Sequence, residues 1–146
     1  MSGRIAAQIA RDAATSQSGH YYELSGKMCW DAVVFCMVQA GAPDPGSITS
    51  HGFNHVVSTG DPAVNSSADM RHVPQGAFIG FFDGGRLIHA MIATGHGLAA
   101  GNKNACIGIG GPVGWEILDV AGRLHWTGAG VNAEGRALTV HYRAMD

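Results

Sequence analysis

From Pro74 onward the chain breaks into short apolar segments closed off by glycine, a rhythm that suits strands and leaves little room for long helices. The segments are Ala77–Phe82, Arg86–Thr94, Leu98–Gly101, Ala105–Ile109, Gly114–Val120, Arg123–Thr127 and Ala137–Arg143. Between them Asp83-Gly84-Gly85, Gly95-His96-Gly97, Asp119–Gly122 and Glu134-Gly135 carry the residues that tight hairpin turns require. The abundance of glycine, 22 of 146 residues, fits this demand for turns and close backbone packing.

The first half has the opposite character. Ser2 can cap a helix over residues 3–14 that puts Ile5, Ala6, Ile9, Ala10 and Ala13 on one face. A polar stretch from Thr15 to His20 then leads to Tyr21 and Tyr22. The run Cys29–Ala40, closed by Gly41 and Pro43, reads as a helix that is apolar nearly all round and therefore central. Residues Gly41–Gln75 hold four of the five prolines and look like loop, with room for a short helix near His51–Ser58. Helices followed by an antiparallel meander make a single α+β domain over residues 1–146, with no internal repeat and no low-complexity segment.

Charge excludes several classes of partner. Asp, Glu, Lys and Arg make up 14% of the chain and the formal net charge is −2, which leaves no basic footprint for nucleic acid. No apolar run approaches the roughly 20 residues of a membrane-spanning helix. The segment from Met1 lacks a secretory apolar core, so synthesis in the cytoplasm is expected, with export left to a specialised secretion system. Three cysteines argue against a disulfide scaffold, and Cys29 and Cys36 would lie roughly 10 Å apart along one helix. Cys36 and Cys106 read as buried small hydrophobes.

Cys29 reads differently because it heads its helix. A thiol becomes nucleophilic as thiolate, a form that a helix N-terminus and a nearby imidazole both favour. The imidazole on offer is His89, in the strand Arg86–Thr94. Alternation puts Leu87, His89, Met91 and Ala93 on one face, which should look toward the Cys29 helix. A two-residue turn at His96-Gly97 would set His89 opposite Asn104, with Asn102 as its diagonal neighbour. Either carboxamide could orient the ring, and the Cys29 backbone N–H would stabilise an oxyanion. An ion-paired thiolate would alkylate quickly well below the roughly 8.5 pKa of a free thiol.

This arrangement resembles the papain-like superfamily, in particular the compact bacterial NlpC-type peptidases, CHAP amidases and type VI secretion amidase effectors. The resemblance rests on Cys29-Trp30 at a helix start after Ser25-Gly26-Lys27, on Val73-Pro74-Gln75-Gly76-Ala77-Phe78-Ile79-Gly80-Phe81-Phe82, and on His89-Ala90-Met91-Ile92-Ala93-Thr94-Gly95. It covers roughly residues 20–105. It implies a papain-like fold with a nucleophile-bearing helix packed on an antiparallel sheet. It further implies Cys29 as nucleophile, His89 as general base, and Asn102 as the orienting third residue with Asn104 as competitor. The implied activity is an amidase or peptidase without cofactor, acting on a peptide or protein amide. A toxin or effector acting on peptidoglycan peptides or a target-cell protein fits, with an immunity or chaperone protein as partner in that case. A glutamine deamidase or transferase would use the same thiol chemistry, and a non-catalytic binding module could keep the fold without the reaction.

Other residues carry weaker signals. His51 and His55 stand four apart, a spacing that could grip a metal on a helix, but no zinc-peptidase glutamate accompanies them. His72, His96, His125 and His141 have no partner pattern and suit surface or turn positions. Trp30 suits the core, and Tyr21 and Tyr22 suit packing more than the oxyanion site. Gly108-Ile109-Gly110-Gly111-Pro112 is no phosphate loop, since it lies between strands instead of before a helix.

Overall fold

The computed structural model describes residues 2–16, 19–44 and 56–145. Three helices come first: α1 (Ser2–Ser16), α2 (Gly19–Ser25) and α3 (Cys29–Gln39). A short α4 (Ser67–Arg71) precedes strands β1 (Phe78–Asp83), β2 (Arg86–Gly95) and β3 (Leu98–Gly101). A 3₁₀ turn (Asn104–Ile107), β4 (Glu116–Asp119), α5 (Val120–Arg123), β5 (His125–Trp126), β6 (Val131–Ala133) and β7 (Arg136–Arg143) complete the chain. The strands form a seven-stranded sheet in the order β4-β3-β2-β1-β7-β6-β5, with antiparallel neighbours throughout. The domain is therefore α+β. Among the described residues no helix is long and apolar enough to cross a membrane. The expected helix near His51–Ser58 and the His51/His55 pair fall wholly or mainly outside the described residues.

The sheet has a core on each face. On one, α1 and α3 pack with Phe78, Phe82, Leu87, Ala90, Ile92 and Ala100. On the other, Ile79, Phe81, Met91, Ala93, Val131 and Val140 gather with residues of α4, α5 and the 3₁₀ turn. Helix α3 is central as expected, with Ala32, Val33 and Cys36 fully buried. In α1 the alanines 6, 7, 10 and 13 point inward while Ile5 is 41% exposed, the reverse of its expected place on the apolar face. Small residues let the helix lie close to the sheet: a Cβ on Gly76, at φ +85°, would run into the Gly3 backbone. The Trp115 indole N–H then donates to the Ala10 carbonyl of the same helix at 2.9 Å.

Several expected elements differ. The predicted strand Ala105–Ile109 is a 3₁₀ turn, bracketed by Lys103 at φ 62° and Gly108 at φ 86°, so a left-handed residue at each end forbids an extended run. The predicted Asp119–Gly122 hairpin is a turn of helix, because the Asp119 side chain accepts from Gly122 N–H and caps it. Ser66 does the same for α4 by accepting from Asp69 N–H, inside a stretch read as loop. Helix α2 and strand β6 lacked the apolar periodicity that would have announced them. Cys106 is exposed, contrary to its reading as core, whereas Cys36 is buried. His141, read as a surface residue, is 8% exposed, with Nδ1 bonded to the Asp61 carbonyl and its ring edge-on to Phe82.

Candidate active site

Cys29 is the first residue of α3, so its sulfur sits among amide N–H groups that have no partner within the helix. Its own N–H and that of Trp30 interact with it, and so does the N–H of Ala90 on β2. The last contact locates the thiol. Ala93 exchanges backbone hydrogen bonds with Gly76 and Ala77 on the β1 side of the strand. Amides alternate sides along a strand, so Ala90 N–H points the other way, toward β3. Strand β3 pairs Ala100 with Ile92 and ends at Gly101, which leaves Ala90 facing a gap in the sheet. The Cys29 sulfur accepts in that gap.

His89 lies one residue before Ala90, and the structure corrects the face on which it sits. A bulge shifts the β1–β2 register between Phe81 and Phe82, pairing Phe81 with His89 but Phe82 with Leu87. Leu87 thus joins Ala90 and Ile92 on the α3 face, while Met91 and Ala93 belong to the opposite core. The His89 ring goes with the second group, fully buried and tilted on Phe81 at a centroid distance of 5.8 Å. The imidazole therefore belongs to the face opposite α3, while the Cys29 sulfur reaches β2 at the Ala90 N–H, beside the end of β3.

Asn104 reaches the imidazole by an indirect route. The His96-Gly97 turn gives the expected pairing of Gly95 with Leu98, but an irregularity then pairs Ala93 with Ala99, one residue out of that register. Simple continuation would place residue 103 opposite His89. Instead the chain leaves the sheet through Asn102 and left-handed Lys103, and Asn104 opens the 3₁₀ turn. Its Oδ1 lies 2.8 Å from His89 Nε2. Its Nδ2 donates to the Gly101 carbonyl at 2.8 Å and to Glu116 Oε1 at 3.1 Å. Gly101 is required here, because a Cβ would stand 2.5 Å from Asn104 Oδ1.

Of the two candidate asparagines, then, Asn104 touches the ring and Asn102 does not. Asn102 is equally buried, but its Nδ2 donates to the carbonyls of Leu24, Ser25 and Lys27 while its Oδ1 accepts from Gly114 N–H. These bonds hold the joint between α2 and α3, which aims Cys29. No sequence signal separated the two roles.

An amide oxygen can only accept, so His89 carries its proton on Nε2 and Nδ1 has a free lone pair. Nδ1 is buried and makes no hydrogen bond among the described residues, with the thiol or any other group. Burial lowers the His89 pKa to about 4, opposed by the bond to Asn104. Burial likewise raises the Cys29 thiol, against the three N–H groups and the charge of Lys103. Both shifts favour the neutral forms, a thiol at Cys29 and an uncharged imidazole at His89, because desolvation outweighs the helix N-terminus. Cys29 is 4% exposed.

The surroundings are uneven. Lys103 Nζ lies 3.6 Å from the sulfur of Met28, an exposed residue just ahead of the thiol. Trp30 and Tyr21 pack against the α3 core and Tyr22 is 69% exposed. A groove of about 420 Å³ lined by Ala14, Tyr21, Gly114, Trp115, Glu116 and Ile117 shares Glu116 with the asparagine network, but neither Cys29 nor His89 lines it. Among the described residues, no group of three or more His, Cys, Asp or Glu side chains could hold a metal ion. No protein-family model and no curated protein matches the sequence.

Proposed function

We propose that this chain is a papain-like cysteine hydrolase acting on the amide bond of a peptide or protein. The observation that carries the reading is the single bond that His89 Nε2–H donates to Asn104 Oδ1. It leaves a buried, unprotonated Nδ1 on the residue next to the amide that the Cys29 sulfur accepts. In the reaction the thiol proton passes to Nδ1 as sulfur attacks the carbonyl carbon. The tetrahedral oxyanion takes hydrogen bonds from N–H groups at the start of α3, and the departing amine collects the proton from Nδ1. Water, deprotonated by the same nitrogen, then releases the acid and restores the thiol. A neutral resting pair suits this sequence, since the base needs its lone pair at the moment of attack.

The burial of both Cys29 and His89 favours a second reading, a binding module that keeps the fold without the reaction. Incubation with peptidoglycan stem peptides and with glutaminyl peptides separates the two. Hydrolase action releases an amine, or ammonia from a glutaminyl side chain, and leaves a transient acyl adduct on Cys29 by intact-mass spectrometry. Cys29→Ala removes product and adduct while Cys36→Ala keeps both. Binding of the same peptides by the native chain and by Cys29→Ala, with no product from either, favours the binding module.

A further inference from the structure

Glu116 is absent from the reaction described above, yet its carboxylate is the best-held group behind the imidazole. It lies on β4 directly opposite Gly101, the residue at which β3 ends. Oε1 accepts from Asn104 Nδ2 at 3.1 Å and from Gly111 N–H at 2.6 Å. The loop between the 3₁₀ turn and β4 is shaped around it. Gly110 holds φ +77°, and a Cβ there would collide with Glu116 Oε1 and stand 3.0 Å from the Asn104 Cβ. Nothing in the proposed chemistry requires an acid at this position, so the carboxylate calls for another account.

A carboxamide has two ends of opposite character and nearly the same shape, and its neighbours decide which end points where. Asn104 faces two acceptors, the Gly101 carbonyl and the Glu116 carboxylate, and both require its NH₂ group. The oxygen is thereby turned to His89. Turning the amide over would bring oxygen against carbonyl and carboxylate and offer His89 a donor, which reverses the proton positions on the ring. We infer that Glu116 is a positioning residue that fixes the orientation of Asn104, and through it the Nε2–H tautomer of His89 that leaves Nδ1 free to take the Cys29 proton. The use of that tautomer rests on the hydrolase reading; the tautomer itself does not.

Long-range proton–nitrogen NMR spectra of the uniformly ¹⁵N-labelled full chain test this, with the His89 signals identified by their loss in His89→Gln. The native ring shows one protonated nitrogen, Nε2. Glu116→Ala leaves the Gly101 carbonyl as the lone guide and lowers the ratio of Nε2–H to Nδ1–H forms about tenfold or more, as expected for losing a hydrogen bond to a charged group. Glu116→Gln keeps an acceptor oxygen and keeps the single tautomer, a rescue that loop support alone does not require. Backbone amide spectra of both variants report that the fold is intact. Turnover of p-nitrophenyl acetate, measured alongside, falls in kcat by the same factor as the Nε2–H fraction with KM unchanged. If no variant nor the native chain turns over this ester while the tautomer still follows Glu116, the positioning role stands and the hydrolase reading fails. A ring that stays wholly Nε2–H in a folded Glu116→Ala overturns the inference, whatever the activity.

Discussion

At the scale of single residues, environment outweighs identity. His89 is an ordinary imidazole whose folded pKa, about 4, lies below its unfolded value near 6.5. Between those values the unfolded chain binds a proton that the folded chain refuses. Stability is therefore whole above pH 6.5 and is lost as pH falls toward 4, by roughly 3 kcal/mol if the group acts alone. Urea midpoints at pH 7, 5 and 4 should show the native chain weakening more steeply than His89→Gln, and the gap between the two curves isolates this group from the carboxylates. The two asparagines should separate in the same assay. Asn102→Ala removes the donor shared by the Leu24, Ser25 and Lys27 carbonyls, of which Leu24 keeps the Lys27 N–H, and should cost roughly 3 kcal/mol. Asn104→Ala should cost turnover more than stability, since it frees the ring. Cys29, His89 and both asparagines could be picked out by residue type and spacing. Their division of labour could not, because it depends on which carbonyls a carboxamide meets 75 to 78 residues away.

At the scale of elements, what could be read was whatever a period or a turn residue announces. The apolar run of α3, the β1–β2 hairpin at Gly84-Gly85 and the β2–β3 turn at His96-Gly97 all stand close to where those signals put them. What escaped is set by contacts outside the segment. The bulge opposite Phe81 and Phe82 turns His89 to the other face, and no pattern within Arg86–Thr94 records it. In α1 the period puts Ala6, Ala10 and Ala13 inward, as they are, but puts Ile5 there too, which is exposed where the helix start lies against Gly76 in a close approach at Gly3. That approach makes a sharp test. Gly76→Ala combines a left-handed backbone with a collision against Gly3, and should lower the melting temperature by about 10 °C, equivalent to about 3 kcal/mol. Gly84 also has positive φ, but a Cβ there meets nothing within 4 Å. Gly84→Ala should therefore cost only the backbone strain, about 1–2 kcal/mol. Equal losses from the two would mean that backbone conformation alone governs both.

At the scale of the whole molecule, the three free cysteines report on how tightly the domain is closed. Cys106 is exposed, though desolvation of its sulfur and then the nearby Cys29 raise its thiol to about 11. Cys36, pushed up by burial to about 12, is sealed in α3. Iodoacetamide at neutral pH should mark Cys106 first and Cys29 far more slowly, leaving Cys36 until the chain unfolds. Raising the pH should speed Cys106 before Cys36, as mass mapping of peptides would show. A prompt reaction at Cys29 would mean that the resting pair holds a thiolate after all. The clamp formed by Asn102 has a temporal meaning as well. A ribosome delivers the Cys29 thiol more than seventy residues before the side chain that fastens the joint in front of it, and Glu116 emerges later still. A growing chain can assemble helices and the first hairpin while its sulfur remains unaimed, so whatever reactivity the finished site has begins only after Glu116 has emerged.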